Sequence, residues 1–331
     1  MRIDLFNWPS EVEPSTPAQI QECYESGLHG AVCDPESLEQ VLDGQQYPNF
    51  GDAAHAAGLA GTGEGQLSLA FQSYLKLDPE AFSEAQTTGD CVSHWARNAL
   101  DTSRAVEIVI KGDLEEFVAR GATEPIYGHR GHGGQGANCG TLADFVSKVG
   151  GLMVRRPYPE LNLDLSRYNA RIGMDWGRSG VPQAVKAEAG KHKARYVSRI
   201  TSLEQARDAI ANGYGCGGCS GYSFSNRRDE FGHSERTREG WAHAMAWTGF
   251  DDTPETVGRY GGPLVGVNQS WGRWNSGGWN PAYGPPVIGM FWIKGRDAAG
   301  MIKSGQIMAL GDFDGFKRRV LPRIDIFANP T

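Results

Sequence analysis

The spacing of apolar residues changes along the chain from a helical pattern to runs typical of strands. Val92, Trp95 and Ala99 recur every three to four residues, which predicts a helix over 91–110 with one buried face. Shorter helical patterns cover 18–24, 35–42, 66–77, 141–149 and 201–212. The first half of the chain is therefore predicted to be largely helical.

Beyond residue 213, apolar residues form runs that are separated by turn residues, as in strands. These runs cover 214–224, 242–250, 264–270 and 290–294. Because the helices precede the strands, the order is that of an α+β protein. The stretch 161–190 has only a weak pattern and is predicted to be a long connection, and the glycine-rich stretch 128–140 is predicted to be a loop.

The distribution of charge divides the chain near residue 85, and not where the helical pattern gives way to strands. Residues 1–85 carry 14 acidic residues against Arg2 and Lys76, a net charge of −12, whereas the whole chain carries −7, which leaves +5 for 86–331. We therefore predict an acidic N-terminal extension over 1–85, an arm or a prosegment-like piece, and one domain over 86–331. The extension is expected to dock on that domain or on a partner protein, with a solvated acidic helical region as an equal alternative.

The composition of the chain argues against several classes of protein. No window approaches the roughly 20 apolar residues of a membrane span, and the start of the chain lacks the apolar core of a signal peptide. The one basic cluster, Lys317–Arg319, is too small to predict nucleic-acid binding. Six scattered cysteines do not indicate a disulfide framework. We expect a protein of the cytoplasm or a virion, with no membrane and no nucleic acid as partner.

Three short segments carry candidate chemistry. Cys91 opens the predicted helix, His243 lies near the start of an apolar run, and Asn268-Gln269 precede Ser-Trp-Gly. The N-terminal end of a helix, where unpaired backbone N–H groups point outward, favours a thiolate. A neighbouring imidazole can take the thiol proton. Each residue taken alone is more often structural, so it is their order and spacing that predict a nucleophile, a base and an orienting amide.

In this order the segments resemble papain-like cysteine peptidases, and in pattern they are most similar to bacterial and phage-encoded members. The similarity covers about 86–310 and is specific at the three segments. It implies a papain-like α+β fold. A helical half over about 86–200, which holds the Cys helix, would pack against an antiparallel sheet or barrel over 201–331, with a cleft between the halves.

The resemblance also implies roles. Cys91 would attack an amide carbonyl, and His243 would take the thiol proton and later protonate the leaving amine. Gln86 and the Cys91 backbone N–H would hold the oxyanion. Gln269 occupies the position of the family's orienting Asn, with Asn268 as the fallback. No cofactor and no metal would be needed.

Other alignments and residues leave alternatives open. Matching Trp95-Ala to the family's Trp-Ala places His94 at the nucleophile position, which would describe an inactive protein; we prefer the alignment that makes Cys91 the nucleophile.

Gly133 and Gly134 are predicted to form a wall for the substrate backbone, although a merely flexible loop is an equal alternative. A zinc site built from two distant pairs is disfavoured. Those pairs are Cys216 with Cys219 and His129 with His132.

The sequence therefore predicts a cysteine peptidase or related amide hydrolase acting on peptide or protein, with a Cys-His-(Gln/Asn) arrangement. The alternative is a papain-like scaffold with weak or no catalysis that serves as a virion structural or binding protein. A transglutaminase-like or peptidoglycan-amidase thiol enzyme would share the Cys-then-His order, but the Ser270-Trp-Gly segment argues against it.

Overall fold

The structure is a computed structural model, and it describes residues 30–31, 47–111, 120–304 and 306–311. The helices predicted over 18–24 and 35–42 and the Lys317–Arg319 cluster lie outside these residues. Among the described helices, none is long and apolar enough to cross a membrane.

Helices and strands alternate more often than the sequence pattern indicated. The helices are α1 (Phe50–Ala56), α2 (Ala70–Leu77), α3 (Cys91–Val106), α4 (Glu124–Gly128), α5 (Cys139–Asp144), α6 (Ala170–Ser179), α7 (Gln183–Ala189), α8 (Leu203–Ala211), α9 (Pro254–Tyr260) and α10 (Gly295–Ser304). The strands are β1 (Leu67–Leu69), β2 (Pro157–Tyr158), β3 (Leu163–Asp164), β4 (Tyr196–Arg199), β5 (Gly215–Arg228), β6 (Ser234–Asp251), β7 (Leu264–Asn268), β8 (Ser276–Gly277), β9 (Met290–Lys294) and β10 (Gln306–Gly311).

One large sheet organises the described residues. Its main path runs β4-β10-β5-β6-β7-β9, with β1 added on β6 and β8 on β5, while β2 and β3 pair separately. Every pairing in the large sheet is antiparallel except β5 with β8. Helices packed on an antiparallel sheet confirm the α+β prediction, and β5, β6, β7 and β9 confirm the four predicted strands.

Small residues let α3 lie close to the sheet. Ala244 and Ala246 belong to the core cluster that contains α3, whereas Met245 and Trp247 belong to the cluster on the other side of the sheet. A Cβ atom built on Gly215 would come within 2.2 Å of the Ala99 carbonyl oxygen, so only glycine allows this approach. The alternation of the apolar run thus places its small residues under the helix and its large ones behind the sheet.

The segment before residue 85 contributes to the same core. Its apolar run over 66–77, predicted to be helical, forms β1 and then α2, because β1 adds to the edge of β6 with Leu67 opposite Asp251. Phe50 and Phe71 are fully buried, and α2 packs on α3. The described part of the predicted extension is therefore packed into the domain.

The prediction of a long connection over 161–190 is wrong, because α6 and α7 lie within it. Asn169 caps α6 by accepting a hydrogen bond from the Arg171 N–H at 3.2 Å. The buried face of α6 carries Gly173 and Gly177, and a Cβ atom at Gly177 would meet the Arg130 guanidinium at 2.2 Å. Only these glycines are fully buried on α6, while Ile172 and Trp176 pack on the core as partly buried residues.

The cysteines also differ from expectation. Cys139 at the start of α5 and Cys219 on β5 form a disulfide with a Cα–Cα distance of 6.0 Å. Their separation of 80 residues hid the pairing, which depends on how α5 packs beside the sheet. Cys216 is reduced, and burial raises the pKa of its thiol well above the ordinary value. With Cys219 oxidised, the zinc alternative fails, and the described residues contain no cluster of three or more metal-ligand side chains.

A network of buried ion pairs, the buried ion network, holds α3 on the side that carries Arg97. The Glu84 carboxylate accepts hydrogen bonds from Arg97 and from Arg155, the latter at 2.8 Å, and Arg155 also binds Glu124 at 2.9 Å. Burial by itself raises the pKa of Glu84, but the two guanidinium groups outweigh it and lower the pKa to about 2. Glu84 is therefore ionised at neutral pH and holds two arginines in place.

We expect Glu84→Gln to destabilise the fold at pH 7 by about 3 kcal/mol, because buried arginines lose their counter-charge. The native pKa lies below the ordinary value of 4.5, so this stabilisation is complete above about pH 5 and is lost as pH falls towards 2. Urea unfolding of wild type and variant at pH 7 and at pH 3 measures both effects.

The matched control is Glu80→Gln, because Glu80 lies nearby but is exposed. We expect that change to alter the free energy of unfolding by less than about 0.5 kcal/mol. A Glu84→Gln effect no larger than the control, or one of equal size at both pH values, would contradict the ion-network interpretation.

Candidate active site

Cys91 is a reduced, fully buried residue at the first position of α3. The helix begins here because the Asp90 carbonyl accepts the Ser93 N–H at 2.9 Å and the Ser93 hydroxyl at 2.7 Å. The Asp90 carboxylate does not cap the helix; it accepts a hydrogen bond from Tyr168 at 2.9 Å. The N–H groups of the first turn therefore lie at the same helix end as the thiol without a carboxylate cap competing for them.

His243 lies on β6 and is 0% exposed. Trp271 stacks on its ring with centroids 4.2 Å apart and an interplanar angle of 27°, and Trp241 meets it edge-on. This places the indole of the Ser-Trp-Gly segment directly over the imidazole, where it excludes water from that face.

The loop before Cys91 is fastened to the loop that carries Trp271. The Gln86 N–H donates to the Ser270 carbonyl at 2.7 Å, and the Ser270 hydroxyl donates to the Gln86 side-chain oxygen. Ala85 and Trp271 form an antiparallel bridge. The structure thus brings the Gln86 segment to the Ser-Trp-Gly segment, and Trp271 in turn to His243.

The two candidate orienting amides make other hydrogen bonds. The Gln269 side chain accepts from the Trp271 N–H and donates to the Gly272 carbonyl at 3.5 Å, so both bonds stay inside its own turn. The Asn268 side-chain oxygen accepts from the Thr248 hydroxyl. Which amide orients the imidazole stays a prediction.

The Gln86 side chain is fully buried, and its nitrogen donates to the Thr88 carbonyl at 2.8 Å. This bond fixes the plane of the amide within the loop that leads to Cys91. Its role with an oxyanion stays a prediction.

His94, the nucleophile in the alternative alignment, lies in the buried ion network. Its ring nitrogens are 3.6 Å from Asp90, 4.0 Å from Glu84 and 3.4 Å from Arg97, and the residue is 1% exposed. These contacts give His94 a structural role in the buried ion network.

Sequence reasoning missed Gln135. Its side-chain oxygen accepts hydrogen bonds from the Thr88 hydroxyl at 2.6 Å, the Gly89 N–H at 2.8 Å and the Tyr127 hydroxyl at 3.2 Å. The residue therefore ties the glycine-rich loop to the turn before Cys91. A lone glutamine among six glycines gives no signal of this role, because the partners are distant in sequence.

The glycine-rich loop contacts another piece of backbone at its far end. Ala137 forms a parallel bridge with Ala31, and its N–H donates to the Gly30 carbonyl at 2.7 Å. Gly133 instead packs on Arg178, at 3.0 Å from a built Cβ atom, and Gly134 lies beside His132. The predicted substrate wall at Gly133 and Gly134 thus stays a prediction.

No protein-family model and no curated protein matches the chain. Among solved structures it is similar to xylellain, a cysteine protease from Xylella fastidiosa, at 16% identity over 72% of this chain and 85% of that one, with a TM-score of 0.46. It is also similar to digestive procathepsin L2 from the Tenebrio molitor larval midgut, at 12% identity over 74% and 67%, TM-score 0.44.

A third similar structure is the bromelain protease from Ananas comosus in complex with the E64 inhibitor, at 13% identity over 71% of this chain and 95% of that one, with a TM-score of 0.39. Identities and TM-scores this low do not extend the activity of these proteins to this chain.

We expect Gln135→Ala to loosen the turn before Cys91, since a lost hydrogen bond of about 1 kcal/mol corresponds to roughly fivefold faster amide exchange. Hydrogen–deuterium exchange over residues 86–90 measures it. Gln135→Glu should keep wild-type exchange, because all three bonds use the residue as an acceptor.

Gln183→Ala, at an exposed position, is the control and should leave exchange unchanged. Equal exchange in Gln135→Ala and wild type would show that Gln135 does not hold the turn.

Proposed function

We propose that the chain is a cysteine peptidase or related amide hydrolase in which Cys91 is the nucleophile and His243 its base. The observation that supports this most is the pair of contacts that joins the three segments: Gln86, five residues before Cys91, is bound to Ser270, and the next residue, Trp271, is stacked on His243. The loop that leads to Cys91 and the ring of His243 are thus connected through two neighbouring residues, Ser270 and Trp271, and nucleophilic catalysis needs a base held near the nucleophile.

In this proposal the helix end stabilises negative charge on the Cys91 sulfur, and the sulfur attacks the carbonyl carbon of an amide. The Gln86 amide and the Cys91 N–H receive the developing oxyanion. The imidazole of His243 passes the thiol proton to the amine as the C–N bond breaks. A water molecule, deprotonated by the same imidazole, then hydrolyses the thioester and restores the thiol.

Trp271 contributes by its position. An indole stacked on the imidazole lowers the local dielectric and limits competition from water, which strengthens an ion pair between sulfur and ring. Gln269, or Asn268 as the fallback, is proposed to orient the ring, with peptide or protein as the substrate.

A second candidate is a papain-like scaffold without turnover that serves as a virion structural or binding protein. The observation that favours it is the Gln269 side chain, whose hydrogen bonds stay within the 269–272 turn. In either case we propose a location in the cytoplasm or in a virion, in keeping with the resemblance of the sequence pattern to bacterial and phage-encoded papain-like proteins. We also propose that acidic residues of 1–85 dock on the domain.

We expect Cys91→Ala to lower kcat/KM for peptide hydrolysis by about a thousandfold or more, because the reacting thiolate is removed. A peptide library analysed by mass spectrometry measures the cleavage. The Ala31→Pro variant is assayed beside full-length wild type. It removes the Ala31 N–H, which donates a hydrogen bond to the Ala242 carbonyl, one residue before His243.

Cys216→Ala is the matched control, because Cys216 is equally buried and reduced but belongs to the core cluster on the other side of the sheet. It should keep wild-type activity. If neither wild type nor Ala31→Pro cleaves any peptide, the hydrolase proposal fails and the scaffold takes its place.

A further inference from the structure

Asp90 occupies the N-cap position of α3, but its side chain does not cap the helix. Asp90 directly precedes Cys91, and an aspartate placed there usually accepts hydrogen bonds from N–H groups of the first helical turn. The Asp90 carboxylate makes no such bond. A carboxylate on that turn would bring negative charge to the helix end whose positive potential favours a thiolate. The place where this carboxylate is held therefore bears on the chemistry of Cys91.

The Tyr168 hydroxyl holds the Asp90 carboxylate away from the cap. It donates to the Oδ2 atom of Asp90 at 2.9 Å and accepts the Thr87 N–H at 3.2 Å, so it is fixed from both sides. Burial, and after it the charge of Asp90, raises the pKa of Tyr168 well above its ordinary value. The hydroxyl therefore stays protonated at neutral pH and remains a hydrogen-bond donor to Asp90.

The other contacts of Asp90 do not replace this hydrogen bond. The Nε2 atom of His94 lies 3.6 Å from the same carboxylate oxygen, and Tyr127 and Arg130 interact with Asp90 electrostatically. The second oxygen, Oδ1, is buried and has no hydrogen-bond partner among the residues that the structure describes. Because a buried carboxylate without donors is costly, loss of the Tyr168 hydroxyl would favour rotation of Asp90 onto the first turn.

The Tyr168 ring has contacts that do not involve its hydroxyl. It meets the His94 ring edge-on with centroids 5.4 Å apart, and the Arg155 guanidinium lies over it at 5.7 Å from the centroid. Phenylalanine at this position would keep both ring contacts and remove only the hydroxyl. The effect of the hydroxyl on Asp90 can therefore be separated from the packing of the ring.

We propose that Tyr168 is a positioning residue for Cys91, because its hydroxyl keeps the Asp90 carboxylate off the first turn of α3 and leaves the positive helix end to act on the sulfur. Tyr168 acts through Asp90 and not by contact with the reacting atoms. The consequence for catalysis rests on the proposed function, whereas the effect on the thiol does not require turnover.

The test is the pH titration of the Cys91 thiol in the full chain, followed by the carbon-13 NMR signal of its Cβ atom and assigned by the loss of that signal in Cys91→Ala. We expect Tyr168→Phe to raise the titration midpoint by about one pH unit, a roughly tenfold change in the thiolate equilibrium, because the released carboxylate caps the helix. Asp90→Asn alone should not raise the midpoint. The double variant Tyr168→Phe, Asp90→Asn should titrate like Asp90→Asn, since no carboxylate is left to move.

Tyr260→Phe is the matched control, because the Tyr260 hydroxyl also donates to an aspartate carboxylate, that of Asp229, at 2.7 Å. It should leave the Cys91 midpoint unchanged. An unchanged midpoint in Tyr168→Phe would overturn the proposal. A raised midpoint that persists in the double variant would also overturn it, since Tyr168 would then act through the shape of the loop and not through the charge of Asp90.

The positioning role and the peptidase can fail separately. If wild type cleaves library peptides but titrates at the same midpoint as Tyr168→Phe, the peptidase is kept and the positioning role is rejected. If the midpoint rises in Tyr168→Phe and returns in the double variant, while neither wild type nor Ala31→Pro cleaves any peptide, the positioning role is kept and the peptidase is rejected.

Discussion

Burial of α3 is the constraint on which the rest of the structure depends. All residues from Cys91 to Val106 are buried, although many are polar or charged. Each charge in the interior needs a partner, because an unpaired buried ion costs several kcal/mol. Glu84 balances Arg97, and Asp101 accepts hydrogen bonds from Tyr74 at 2.6 Å and from the Gly121 N–H at 2.9 Å. These partners come from segments on several sides, so pairing them also fixes how the segments surround the helix.

The same burial raises the pKa of Asp101 to about 6, opposite in direction to Glu84, which two arginines hold at about 2. The difference shows that nearby positive charge compensates the two buried carboxylates to different extents. Where guanidinium groups are close, the carboxylate stays ionised; where a hydroxyl and a backbone N–H are the main hydrogen-bond donors, desolvation prevails. The helix that presents Cys91 is thus anchored by ion pairs at Glu84 and by hydrogen bonds at Asp101.

Anchoring the helix also fixes the loops that precede Cys91. With Cys91 fixed, the turn at Gly89 is fixed by Gln135, and the loop at Gln86 is fixed by Ser270. The Gly89 backbone then packs against Gly30, where a built Cβ atom would lie 1.8 Å from the Gly89 carbonyl oxygen.

Periodicity predicted the elements whose buried faces are apolar. The helix at Cys91 and the four main strands have such faces, because burial of alternating or three-to-four-spaced apolar residues is a local property of the sequence. The prediction of a connection over 161–190 missed α6, whose fully buried residues are Gly173 and Gly177, and the prediction of a helix over 66–77 missed β1, whose state depends on pairing with β6.

The sequence by itself determined which residue types are present for chemistry and in what order: a cysteine at a helix start, a histidine in a strand, and amides before Ser-Trp-Gly. Only the tertiary structure decided that Cys139 pairs with Cys219, that Gln135 holds Gly89, and that Gly30 lies against the Gly89 backbone. Those contacts join residues far apart in the chain, and their formation depends on packing and on the pairing of buried polar groups, which no local pattern encodes.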